Sequence, residues 1–164
     1  MKKTMSIIAI FAVLLLTVSA NTERVFMAKE GMQLPVFELQ RADGGELASA
    51  EIKGRFVIVN FWASTDAASR IAANRFNSYV ESSREEQIGL VSVNLDTNER
   101  LFRQIVRKDG LNSESQFFAE SGKISELIRK FELEKGLKSF LVDPTGKIVA
   151  VNPTVETLAG FTGK

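Results

Sequence analysis

Any chemistry done by this chain must come from carboxylates, hydroxyls, amides and amines, because it contains no Cys and no His. Asp66 and Ser69 come nearest to a reactive pair. An acid three residues before a hydroxyl could repel anions, hold a cation or act as a hydrolytic acid. No base partner for the pair is visible in the sequence. The same spacing also describes a helix N-cap, in which the Asp carboxylate accepts the N–H of the residue three positions on. Asp96-Thr97-Asn98-Glu99 is a second acidic constellation. It lacks the Gly and the distant Glu of a calcium loop, so it reads as a helix cap followed by first-turn acids. Phe61 and Trp62 could form a ligand platform or a piece of aromatic core, and core is the commoner use.

The missing residue types exclude whole classes. Without Cys there is no thiolate nucleophile, disulfide, zinc finger or iron–sulfur cluster. Without His there is no Ser-His-Asp triad and no His-ligated metal. No cofactor and no metal are expected. The formal net charge of +1 gives no concentrated basic patch, so nucleic acid is not an expected partner. The mixed charges of Glu126, Arg129, Lys130, Glu132, Glu134 and Lys135 suit a solvent face, and Ser83-Arg84-Glu85-Glu86 suits a solvated helix end.

Residues 1–20 read as an address. Lys2 and Lys3 precede the apolar run Ile7–Leu16, and Val18-Ser19-Ala20 places small or modest residues at a cleavage site. The run is shorter than the roughly 20 apolar residues that span a membrane. The expectation is an exported, periplasmic protein beginning near Asn21, with an uncleaved anchor through residues 5–20 as the alternative. Membrane association is expected only in that second case. Cleavage removes two lysines and no acid, turning the net charge from +1 to −1. Residues 21–31 are a polar leader, expected to be loose, and residues 32–164 form one domain.

The elements that would position Asp66 and Ser69 follow from the apolar patterning. Leu34–Leu39 reads as a short strand with Pro35 near its start, where no ladder donor is needed. Asp43-Gly44-Gly45 is a turn, and Leu47–Ile52 is expected as one helical turn. Phe56–Trp62 is a continuous apolar run, the mark of a strand covered on both faces. From Asp66 to about Glu85, Ala68, Ala72, Phe76, Tyr79 and Val80 form a helical stripe. Ile88–Leu95 is a second buried strand. Thr97 or Asn98 caps a helix whose stripe is Leu101, Phe102, Ile105 and Val106. Gln116–Ala119 is a strand and Ser125–Phe131 a helix. Ser139–Val142 and Lys147–Val151 form a hairpin around Asp143-Pro144-Thr145-Gly146, and Thr154–Ala159 closes as a helix. The order β–β–α–β–α–β–α–β–β–α predicts an α/β fold, a mixed central sheet with helices on both faces.

Val59-Asn60-Phe61-Trp62-Ala63-Ser64 and Ser139-Phe140-Leu141-Val142-Asp143-Pro144-Thr145-Gly146-Lys147-Ile148-Val149 carry a family resemblance. With the element order, they resemble the thioredoxin fold, and most of all the exported thioredoxin-like proteins of the TlpA/ResA kind. The likeness spans roughly residues 32–160. It implies that Asp66 stands where the family has its nucleophilic Cys, Ser69 where it has the resolving Cys, and Thr65 where a Trp precedes them. It also implies that Leu137 stands where the family has a cis-proline. A cis bond before a non-proline residue costs about 2.5–4 kcal/mol, so the Gly136–Leu137 bond is expected to be trans.

Disulfide exchange needs a thiolate to attack and a second thiol to resolve, and this chain has neither. The expected function is a redox-inactive, thioredoxin-like binding or accessory domain of the bacterial envelope. Its expected partner is another envelope protein or an extended peptide, met at Trp62, Thr65, Asp66, Leu137 and Lys138. The alternative is an enzyme with non-thiol chemistry around Asp66. It would require a second acid or a Lys converging there, and Lys138 is the candidate that the resemblance brings near.

Overall fold

The computed structural model describes residues 27–41, 44–83 and 88–163. The expected signal segment, residues 21–26 of the leader, Asp43 and the run Arg84-Glu85-Glu86 lie outside them.

Among the described residues, seven strands form one sheet: β1 (Glu38–Arg41), β2 (Glu46–Ala48), β3 (Phe56–Trp62), β4 (Ile88–Asn94), β5 (Gln116–Phe118), β6 (Ser139–Val142) and β7 (Ile148–Val151). Four α-helices occur among the described residues: α1 (Ala67–Glu81), α2 (Glu99–Lys108), α3 (Ser121–Phe131) and α4 (Val155–Thr162). The sheet order is β2-β1-β5-β4-β3-β6-β7. β3, β4 and β5 run parallel, while β1, β2, β6 and β7 join through antiparallel pairs. Crossover helices require the parallel centre and the tight hairpins require the antiparallel margins.

Alternation along β3 sorts the core. Val57, Val59 and Phe61 join Val93, Phe117, Phe140 and the α3 residues Leu127 and Phe131 on one face. The Phe61 and Phe131 rings lie 4.6 Å apart, and Phe131 and Phe140 5.4 Å apart, both tilted. On the other face, Ile58 packs with Phe76, Leu90, Leu141 and Leu158, while Trp62 packs with Ala73, Phe102, Val106 and Phe118. The two apolar groups on that face are divided by a polar row running across four strands. Ser139, Asn60, Ser92 and Gln116 are neighbours in register and between 0% and 6% exposed.

The structure differs from the expectations at the margins of the sheet. The segment expected as a helical turn over 47–52 is the strand β2 followed by a 3-10 turn, Ser49–Glu51. The first strand starts at Glu38, not Leu34. Pro35 has no N–H to give a ladder, and the Val36 carbonyl accepts from Lys130 Nζ at 2.8 Å. Helix α3 starts four residues earlier than its apolar stripe indicates, and Glu132 ends it in the left-handed region at φ 51°. Ser83 is no solvated helix end: it is buried, and its hydroxyl donates to the Tyr79 carbonyl at 2.7 Å. Residues 27–31 are not loose. Ala28 is buried and donates to the Lys130 carbonyl at 3.0 Å, and Gly31 donates to the Ile148 carbonyl at 2.8 Å.

Candidate functional site

The parallel strands β3 and β4 end at Trp62 and Asn94, and the turn between β3 and α1 crosses that end of the sheet. The Leu95 N–H donates to the Trp62 carbonyl at 2.9 Å, which extends the ladder by one bond. Asp96 then holds the turn. Both of its carboxylate oxygens lie 3.1 Å from the Ser64 N–H, and it is steadied by Asn94 Nδ2 at 2.9 Å. The Asp96 N–H donates back to Asn94 Oδ1 at 3.0 Å, so the two residues lock each other.

Asp66 is the N-cap of α1. Its carboxylate accepts the Ser69 N–H at 2.7 Å, satisfying one of the unpaired donors at the helix start. The bond from the Ser69 N–H, above all, holds the Asp66 carboxyl below its usual range, outweighing desolvation. Ser69 is buried within this first turn. Its hydroxyl donates to the Asp66 carbonyl at 3.0 Å and accepts the Ala63 N–H at 3.2 Å. Both of the paired residues are thus used in closing the turn. One residue on, Arg70 makes a forked contact with Asp109, with Nη2–Oδ2 at 2.7 Å and Nε–Oδ2 at 3.1 Å. This ties the first turn of α1 to the C-cap of α2.

The antiparallel strand β6 begins at the same end of the sheet, and the segment before it lies next to β3. The Phe61 N–H donates to the Lys138 carbonyl at 3.0 Å. Gly136 takes φ +132°, which a side chain would rarely adopt, and its N–H closes on Leu133 at 3.1 Å. No cis peptide bond occurs among the described residues, so Gly136–Leu137 is trans, as expected. The Leu137 side chain is half-buried against the α3-side core. Its own N–H and C=O make no hydrogen bond among the described residues. Beyond it, Asn152 clips the start of β6. Asn152 Oδ1 accepts the Ser139 N–H at 3.0 Å, and its N–H donates to the Ser139 carbonyl at 2.7 Å, with Asn152 at φ 50°.

Of the residues expected as a binding surface, Thr65 and Asp66 are exposed and Leu137 and Lys138 half-buried, all at this end of the sheet. Trp62 is a correction. It is 0% exposed, packed among Ala73, Phe102 and Phe118, and belongs to the core. The ladder alternation that buries Ile58 and Asn60 sends Trp62 to the same covered face. No Lys or Arg comes within ion-pair distance of Asp66 among the described residues, so Lys138 forms no pair with it there. Nor do three or more Asp or Glu converge into a cation site among them. In the Asp96–Glu99 run, Asn98 caps α2 by accepting the Leu101 N–H at 3.1 Å, and Glu99 pairs with Arg103. Asp96 itself serves the α1 turn, a role that sequence reasoning missed. Its signal was Asn94-Leu95-Asp96, two turn-forming acceptors spaced by two at a strand end. Asn152 was missed too, although Asn before Pro153 marks a turn.

A parallel centre, an antiparallel hairpin at its flank and a capped helix rising from the β3 end define a thioredoxin-like α/β domain, here without a thiol. The chain belongs to the AhpC/TSA family, whose model matches residues 31–151. A thioredoxin-like protein from Parabacteroides distasonis is 36% identical, with a TM-score of 0.64 over 68% of this chain and 82% of that one. Two more distant structures share the fold. A thiol:disulfide interchange protein from a Bacteroides species has a TM-score of 0.75 at 18% identity, covering 84% of this chain and 92% of its own. The thioredoxin domain of a Bacteroides vulgatus thiol-disulfide oxidoreductase has a TM-score of 0.73 at 19% identity, covering 82% and 98%. No curated protein matches the chain. No helix among the described residues is long and apolar enough to cross a membrane.

Proposed function

We propose that this chain is a redox-inactive, thioredoxin-like domain of the bacterial cell envelope that binds an extended segment of another protein. The binding surface is the sheet end carrying Thr65, Asp66, Leu137 and Lys138. Asp66 and Ser69 occupy the places of the family's two cysteines, and Leu137 the place of its proline. Residues 1–20 act as the export signal. The single observation that carries the reading is the unused Leu137 backbone in a chain without Cys. An N–H and a C=O beside an exposed turn are the groups with which an extended chain pairs, and that pairing needs no thiol. The Asp66 carboxylate, already committed to the Ser69 N–H, gives the enzymatic alternative no comparable support.

Site-specific photo-crosslinking in cells tests this. A benzoyl-phenylalanine at Thr65 is expected to give a discrete protein adduct, and one at the solvent-exposed Glu134 none. Leu137→Pro, which removes the Leu137 N–H, is expected to reduce the Thr65 adduct. Identical adducts from both positions, or none from Thr65, would refute the binding surface.

A further inference from the structure

The sheet has two margins, and they are closed in different ways. The β7 margin is sealed by backbone. Gly31 N–H reaches the Ile148 carbonyl at 2.8 Å, Ile148 N–H the Met32 carbonyl at 2.8 Å, and Leu34 N–H the Gly146 carbonyl at 2.9 Å. Gln33 and Lys147 complete an antiparallel bridge there.

Among the described residues the β2 margin has no such cover, and β2 pairs there with β1 alone. The bonds from Arg41 N–H to the Gly45 carbonyl and from Ser49 N–H to the Phe37 carbonyl fix the phase of that pairing. Residues 41/45, 39/47 and 37/49 therefore exchange the ladder bonds, and the N–H and C=O groups of Glu46 and Ala48 point away from β1. Two of these four groups are engaged within the chain, since the Ala48 carbonyl accepts the first bond of the 3-10 turn Ser49–Glu51 and only Glu46 leaves both of its groups open. The Ala48 N–H donates to the Glu51 carboxylate at 3.0 Å. A charged side chain on an open edge is a common guard against unwanted strand pairing.

The charge in the groove beside this edge is mostly negative. This groove of about 150 Å³ is lined by Glu38, Glu46, Glu51 and Glu120 over Leu39 and Leu47. The one cation among the described residues that line it, Lys123, is already on Glu38 at 3.2 Å. Two copies meeting edge to edge would bring these carboxylates together, so self-pairing is opposed. A strand bearing Lys or Arg meets the opposite condition.

We propose that the outer edge of β2 accepts an extended, Lys- or Arg-bearing strand of a partner protein, with Glu51 as the stopper that the strand displaces. The hydrogen bonds balance. The incoming strand bonds the outward N–H and C=O of Glu46 and the Ala48 N–H that Glu51 releases, Glu51 exchanging it for a basic side chain, while the Ala48 carbonyl keeps its bond in the 3-10 turn. This edge lies four strands from β3, and the inference does not rest on the sheet-end surface proposed above.

The test is an amide NMR titration of the isotopically labelled protein with acetyl-Lys-Val-Arg-Val-Lys-amide. Three controls are added: its all-Glu analogue, and the same peptide N-methylated on alternate residues in either phase. The basic peptide is expected to shift the Glu46 and Ala48 amides and slow their hydrogen exchange. The Glu analogue, one phase of N-methylation and the variant Glu46→Lys are each expected to weaken binding about tenfold or more, equivalent to about 1.4 kcal/mol. Equal binding by both N-methylated peptides would overturn strand pairing. So would shifts confined to Leu137 and Asp66, or no binding at millimolar peptide. None of these results touches the Thr65 crosslink, so the two proposals fail separately.

Discussion

The Asp66 carboxylate uses its best acceptor geometry on the Ser69 N–H, and that commitment has a measurable size. Asp66→Ala should cost about 0.5–2 kcal/mol in denaturant melts, the range for loss of an N-cap. Asp66→Asn keeps the acceptor and loses only the charge at the helix start, so about 0.3–1 kcal/mol is expected. The carboxyl is held below its usual range when folded, so the charge stabilises above the unfolded pKa, near 4, and the benefit disappears as pH falls through the folded value. The gap between Asp66→Asn and the natural protein should therefore close in acid, and a gap that persists there would assign it to something other than charge. Asp96→Ala should cost more, about 1–3 kcal/mol, because it strands the partly buried Ser64 N–H and Asn94 amide together. Gln116 predicts the opposite sign. Its Oε1 is buried with no hydrogen-bond partner among the described residues, so Gln116→Met should be neutral or stabilising in the same melts. The cap was legible in the sequence because it is local, three residues from acceptor to donor. The Asp96 clamp joins residues 32 positions apart and is made only when β3 and β4 lie side by side.

At the scale of elements, legibility followed length. β3 and β4 are seven residues each, buried on both faces, and their apolar runs announce them. β2 is three residues, half of whose character comes from pairing with β1, and Leu47–Ile52 contains nothing that distinguishes a strand from a helical turn. The polar row Ser139–Asn60–Ser92–Gln116 was invisible for the same reason: each member looks unremarkable until register aligns the four strands. Helix α1 was legible as a stripe, but not its attachment to α2. The Arg70–Asp109 fork, with side chains 29% and 12% exposed, makes that attachment. A double-mutant cycle of Arg70→Ala and Asp109→Ala should show coupling of about 0.5–3 kcal/mol by equilibrium melts. Coupling near zero would mean that the two helices dock by apolar contact alone.

The whole molecule keeps a thioredoxin-like frame and omits the atoms that would make it a reductant. The natural protein should not speed the reduction of insulin disulfides by dithiothreitol above the rate with dithiothreitol alone. The double substitution Asp66→Cys and Ser69→Cys should gain at most weak reductase activity while Leu137 stays in place. Rates matching a cysteine-bearing relative from that pair alone would remove the significance given to Leu137. The frame also has a built-in order of completion. Residues 30–34 are stitched to the β6–β7 hairpin, more than a hundred positions later in the chain. On a ribosome the early segment emerges first yet must wait, unmatched, until the final hairpin has followed it out. Its neighbours in space are its most distant neighbours in time, so a chain halted anywhere before Ile148 would present that segment to chaperones and proteases as a loose end.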